Sequence, residues 1–362
     1  MSHRCAIDPT IRRVTMGGVA FPLGVFPIQP AQPKVGYSVD FESADGGSEG
    51  EEFEEWPDRY VFDVVIGADR LPALCRALYG LLPSRVYPIL DIMGHDAYRE
   101  IDPYIAYELV GLDRFLDGVR WFEPFFYEDG LCGFGAMCDD PFIYMTVDEH
   151  KVITLRCIPD DRERIERVLR AFDLAETPEP RAADSANHEH RSVLLTPDEH
   201  PEWLSFDEII ERLLDQWRLI LNIDDESNLD DDGRQLGVTG WRCLVRFQID
   251  GERSARYAEV VLWCGSYRAA EEAAHEAASR TLEFGEDAMV DVLTVSADRV
   301  RPDDLPGVVD RPGGTMALRE AVEPAEDGRV IAIRWLGTGP DPSGANPDSA
   351  ADSGSNGGSG QA

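Results

Sequence analysis

The densest group of reactive side chains in this sequence follows an apolar run, residues 86–92, that reads as a strand. Asp91, His95, Asp96, Tyr98 and Glu100 fall within ten residues of one another. A loop at a strand end can converge an imidazole, carboxylates and a phenol. An adjacent carboxylate would then fix the imidazole tautomer for proton transfer or metal ligation. These five residues are the sequence's candidates for catalysis. They come without an assigned reaction, because Asp96 and Asp102 serve equally well as cap residues.

Other patterns offer metal ligands or nucleophiles, and each falls short by spacing. Asn228, Asp230 and Asp232 with Gly233 match the first half of a calcium loop, in which alternating oxygens curl round the ion and the glycine permits the sharp turn. The eighth position is Gln235 where an apolar residue belongs, and the twelfth is Thr239, which cannot supply the closing bidentate carboxylate. His188 and His190, with His200 further on, suggest a metal clamp but lie in or beside a polar stretch and lack a fourth ligand at fixed spacing. Cys132 and Cys138 flank Gly133 and Gly135 in a hairpin, with no basic neighbour to lower a thiol pKa. The nucleophile elbow, the phosphate loop with its lysine and the paired-histidine zinc helix are all missing. No metal and no other cofactor is expected on these grounds.

The aromatic run 121–127 places Trp121, Phe122, Phe125, Phe126 and Tyr127 in seven residues around Pro124. Read as a strand, it carries rings on both faces, with the proline marking an edge or bulge. Trp121 and Phe125 are the binding candidates if one of those faces stays uncovered.

The elements that must position these residues read as an α+β chain. Residues 1–57 form a Pro-rich and then acidic lead-in, and 58–175 the first domain. Its strands are 60–66, 86–92, 119–127, 131–137, 142–147 and 152–158, with helices starting near Asp69, Asp102 and Asp160. The stretch 176–191, with Pro178 and Pro180, reads as a flexible linker, and 337–362 as a disordered tail of Gly, Ser, Pro and Asp. Between them, 192–336 runs strand (192–195), helix (205–220), the hairpin 241–249 with 255–264, helix (266–282) and strand (289–295). This is the ferredoxin-like βαββαβ order, followed by a further hairpin, 316–321 with 330–336. That architecture supports many unrelated activities and licenses none.

Composition narrows the class of partner. With 34 basic against 69 acidic residues, the net charge of -35 opposes nucleic acid and anionic membranes, which are gripped by clustered Lys and Arg. Only Lys34 and Lys151 are lysines. Seven cysteines without a C-x-x-C pair suit a reducing compartment, the cytoplasm. Arg12 and Arg13 ahead of the stretch 14–26 have the outline of a twin-arginine export signal, but Gly17, Gly18, Pro22 and Gly24 interrupt it. The functional expectation is a non-catalytic interaction or regulatory module whose partner is another protein. An enzyme using the 91–102 loop is the alternative.

Overall fold

Period-two alternation of β-branched and aromatic residues with polar ones builds the first part of the chain. The computed structural model describes residues 3–44, 56–195, 203–249, 255–281, 290–305 and 327–338. After three two-residue strands within residues 6–20 come β1 (Val25–Pro27), β2 (Gly36–Glu42) and β3 (Arg59–Val65). Helix α1 (Leu71–Tyr79) leads to β4 (Arg85–Met93) and β5 (Ile101–Ala106), then to α2 (Leu112–Trp121) and α3 (Glu123–Glu128). The strands β6 (Cys132–Asp139), β7 (Phe142–Val147) and β8 (Ile153–Cys157) precede α4 (Arg162–Ala171), β9 (His188–His190), α5 (Phe206–Trp217) and β10 (Leu219–Leu221). A single antiparallel sheet takes the order β10-β5-β4-β6-β7-β8-β3-β2, and β1 pairs with β9 in a separate two-stranded ladder.

These elements form one compact unit, residues 1–93 with 101–223; a second comprises residues 94–100 with 224–362. In the first unit Phe62, Leu90, Phe134 and Met145 from the sheet share a core with Leu71 and Leu74 of α1, Phe115 of α2, Ile165 of α4 and Trp217 of α5. Helix α5 starts with a capping box, the Ser205 hydroxyl accepting from the Glu208 amide while Glu208 accepts from the Ser205 amide. Its apolar stripe of Ile209, Leu213 and Trp217 is buried, with the Trp217 ring stacked on Phe126 at 5.5 Å between centroids.

The second unit contains β11 (Thr239–Ile249), β12 (Arg256–Cys264), α6 (Tyr267–Ser279), β13 (Val290–Val300) and β14 (Arg329–Thr338). Its antiparallel sheet runs β13-β11-β12-β14. Ala270, Ala274 and Ala278 line the buried side of α6 and pack with Trp241, Cys243 and Phe247. Small side chains bring that helix close to the strands.

The chain is mixed α+β, as its patterning implies, but four expectations change. First, the helix that would open a ferredoxin-like βαββαβ unit is α5, and its rings are built into the first core, which leaves ββαββ in the second unit. Second, the unit boundary falls after Ile223, where the acidic stretch 224–232 begins, and not at 176–191. Third, described parts of the lead-in pair with the linker and with the sheet: β1 pairs with β9, Lys34 bridges to Arg181, and β2 joins the sheet through β3. Short ladders of this kind, rich in Pro and His, carry no apolar alternation that a sequence pattern could register. Fourth, the aromatic run ends one helix and forms another, with Pro124 in the first turn of α3, a position that needs no amide donor. The expected helix from Asp102 is likewise replaced by β5 and then α2. The tail beyond 338, residues 45–55 of the acidic lead-in, the connection 250–254 of the expected hairpin and the strand expected at 316–321 lie outside the described residues. Among the described residues no helix is long and apolar enough to cross a membrane.

Replacing Trp217 by Ala removes a buried ring and should cost about 3–5 kcal/mol. Hydrogen exchange should show the loss in β4 and β6. Loss of protection confined to β11 and β12 would instead assign α5 to the second unit.

Candidate metal centre

Two short segments and a turn of the first unit converge on three imidazoles. His188 and His190 are two residues apart on β9, so their side chains leave the strand on the same face. His150 lies in the tight connection from β7 to β8. There the Asp148 carboxylate accepts from the Val152 amide at 2.7 Å, and Lys151 adopts a left-handed backbone with φ of 67°. Lys151 is buried and its ammonium donates to the Cys132 carbonyl of β6, which anchors the turn against the sheet.

The β9 side is fixed by Asp129, itself fully buried. Its carboxylate accepts from the amides of Leu131 and Val193 and from the Ser192 hydroxyl. Burial raises the pKa of this carboxyl, and those donors oppose the rise. Next to it, Gly130 meets Gly24 back to back. A Cβ on Gly24 would stand 2.0 Å from the Gly130 nitrogen, and one on Gly130 would stand 2.1 Å from the Gly24 oxygen, so both positions exclude any side chain. The Gly130 carbonyl left facing β9 accepts from His190.

The three rings form a nearly symmetric triangle, with centroids 4.8, 4.7 and 4.8 Å apart. The Nε2 of His188 lies 3.0 Å from the Nε2 of His150 and 3.0 Å from that of His190. Two such atoms could share a proton, but the outer nitrogens restrict this. Nδ1 of His188 lies 2.7 Å from the Ala186 carbonyl and Nδ1 of His190 lies 2.7 Å from the Gly130 carbonyl. A carbonyl only accepts, so both Nδ1 atoms carry protons, and each ring in its neutral form presents a bare Nε2 lone pair to its neighbours. Nδ1 of His150 faces carboxylates, Glu149 at 3.2 Å and Asp148 at 3.6 Å, which set the same tautomer. Neutral rings so placed turn their Nε2 lone pairs toward one another, a repulsion that a metal cation or a shared proton relieves. Nitrogen ligands on a tetrahedral ion with bonds of about 2.0–2.1 Å stand about 3.3 Å apart, close to the spacing here.

The surroundings tune the rings. Burial lowers the basicity of His150, but its contact with Asp148 and the charges of Asp148, Glu149 and Asp184 outweigh this and raise its pKa. His190 moves down through burial, against the pull of the Gly130 carbonyl. His188 lines an open cleft of about 580 Å³ with Ile28, Gln29, Asp184, Ser185, Ala186 and Asn187. His150 instead faces a nearly closed pocket of about 10 Å³, lined by Val19, Phe21, Val65 and Ile66 among others.

The pair set aside in the sequence is thus two thirds of this cluster. Its third member is His150, whereas His200 lies outside the described residues. The local signal was an H-x-H repeat, which is on one face only if the segment is a strand. The partner 38 residues upstream has no sequence signature.

The residues chosen from the sequence are divided between the two units. Asp91 belongs to the first unit, in β4, where burial followed by the charges of Glu149 and Asp148 raises its pKa to about 6. His95, Asp96, Tyr98 and Glu100 belong to the second unit. There the buried Asp96 carboxylate is committed to Arg299, with contacts of 2.9 Å to Nε and 2.8 Å to the Arg299 amide, while His95 is exposed. The Arg299 guanidinium stands over the Tyr98 ring. Phe125 is fully buried against Phe126 and Phe206, and Trp121 is half-buried under Arg4, so the run supplies core where an exposed patch was the alternative. All seven cysteines are buried and unpaired; burial raises the Cys132 thiol to about 12, and none of the seven belongs to the imidazole cluster. In the acidic loop Asn228 is buried, donating to Gly237 and Thr239 and accepting from Arg299, and Arg234 pairs with Asp232 at 2.8 Å.

Comparison with protein families, with curated proteins and with solved structures finds no match to this chain. The functional reading therefore rests on the site itself.

Two outcomes are expected. Gly130→Ala should lower stability by about 1–3 kcal/mol and displace His190, detectable as a lower melting temperature with loss of the His190 imidazole shift. Calorimetry with Ca²⁺ should show no binding tighter than about 10⁻³ M at the 228–239 loop. Tighter binding abolished by Asp230→Ala would contradict that.

Proposed function

We propose that this protein is a metalloprotein in which the Nε2 atoms of His150, His188 and His190 hold one divalent transition metal, zinc by ligand type. The observation that carries this reading is the set of partners on the outer nitrogens: each Nδ1 faces an oxygen acceptor, which leaves the three Nε2 atoms turned toward one another. Acceptors on the outer nitrogens are the usual orienting partners of metal-bound imidazoles. Three neutral nitrogen ligands leave a coordination position free. This is the composition of catalytic zinc sites, whereas structural ones close with a fourth protein ligand. A metal held this way lowers the pKa of bound water to about 7 and supplies a nucleophile at neutral pH. The reading is accordingly metal-activated water chemistry on a substrate entering from the cleft beside His188. In this scheme the chain's residues orient the ligands: the turn at 148–151 holds His150 through buried Lys151, and the 129–131 segment holds His190.

A second arrangement also relieves the repulsion. A protonated His150, favoured by Asp148 and Glu149, would donate from Nε2 to its neighbours and leave no metal site.

Calorimetry decides between them. Chelator-stripped full-length chain titrated with Zn²⁺ should bind one ion with a dissociation constant below about 1 μM, corresponding to about -8 kcal/mol. His150→Ala, His188→Ala and His190→Ala should each weaken binding by at least about a hundredfold, and His95→Ala should leave it unchanged. Absence of tight binding, or binding indifferent to the three substitutions, would favour the shared proton.

A further inference from the structure

Resting on the metal reading above, we infer that the centre selects its exogenous ligand by charge, accepting neutral or cationic hydrogen-bonding molecules and rejecting anions. The three imidazoles are neutral ligands, so the ion contributes two positive charges. Asp148 and Glu149 stand against His150, at 3.6 and 3.2 Å from its ring nitrogen, and Asp184 lines the cleft beside His188. Three carboxylates thus outnumber the charge of the ion.

Positive side chains nearby are turned away. Lys151, adjacent to His150, directs its ammonium into the core onto the Cys132 carbonyl. Arg191, adjacent to His190, alternates to the opposite face of β9, where its guanidinium covers Phe26 at 4.9 Å and donates to the Leu23 carbonyl. Phe26 is the cross-strand partner of Glu189, which confirms that this is the face away from His188 and His190. The cleft itself presents Gln29, Ser185, Asn187 and Asp184, uncharged donors and acceptors with one carboxylate and no cation. Sites that take phosphate or carboxylate groups provide Arg, Lys or a helix N-terminus, and none of these lines the cleft. A substrate whose reacting group is uncharged therefore fits this centre, and a phosphate monoester or a free carboxylate does not.

The test uses full-length protein loaded with Co²⁺, whose visible bands report its coordination, titrated with imidazole as a neutral ligand and with azide as an anionic one. Imidazole should perturb the bands. Azide should do so weakly in the wild type, and its affinity should rise about threefold or more in Asp184→Asn, with imidazole binding unchanged, as expected for one charge removed at about 10 Å in a medium of intermediate dielectric. Azide affinity unaltered in Asp184→Asn, or raised equally with that of imidazole, would overturn the charge selection while leaving the metal centre standing. Absence of cobalt bands dependent on His150, His188 and His190 would remove the metal centre, and this inference with it.

Discussion

Everything around the three imidazoles follows from where their outer nitrogens are held. A histidine has two ring nitrogens, and fixing the proton on one decides what the other can do. In this chain that decision is made by main-chain carbonyls of Ala186 and Gly130 and by the carboxylates of the 148–149 turn. Each acceptor is positioned by something stiffer behind it. The Gly130 carbonyl is set by the back-to-back contact with Gly24 and by buried Asp129, and the turn is set by Lys151. The β1 and β9 ladder exists between the same anchors, with Arg191 and Gly24 joined by a 2.9 Å amide to carbonyl bond at its end. Thus the close glycine contact, the buried lysine and the two short strands are parts of one support.

The sheet of the first unit stands apart from this support in its energetics. It is built by burying rings and branched aliphatic side chains, a non-directional force proportional to area. The support is built from hydrogen bonds to buried polar groups, which contribute little net stability when satisfied but are expensive to leave unmet. That difference explains why the two were unequally visible in the sequence. Strands near 60–66, 86–92, 131–137, 142–147 and 152–158 and the helix before Phe172 were legible because apolar periodicity records area burial. The capping box at Ser205 and Glu208 was legible because it is local. The ownership of α5 was not, since an apolar stripe states that a helix is covered without stating by which sheet. Likewise Pro124 is compatible with a strand edge or a first helical turn, and only packing of Phe125 and Phe126 distinguishes them.

The site was harder still. His188 and His190 drew notice as a pair, but the segment around them is short, polar and flanked by prolines, the composition of a linker. It is ordered through main-chain pairing with an equally unpromising segment, residues 25–27, more than a third of the chain upstream, a contact for which side-chain type carries almost no information. Asp91 illustrates the opposite case. It was chosen as a neighbour of His95, whereas burial and the Asp148 and Glu149 charges tie it to the turn that bears His150.

The burial of Lys151 has a practical corollary. Lys34 and Lys151 are the only lysines in the chain, and the amine of Lys151 is sequestered beneath the histidine-bearing turn. Acylating reagents can reach Lys151 only when that turn lifts from β6, whereas Lys34 is half-buried at the rim of the sheet and supplies an internal reference. The ratio of the two acylation rates, read by mass analysis of the peptides that carry each lysine, is therefore a built-in clock for opening of the imidazole cluster.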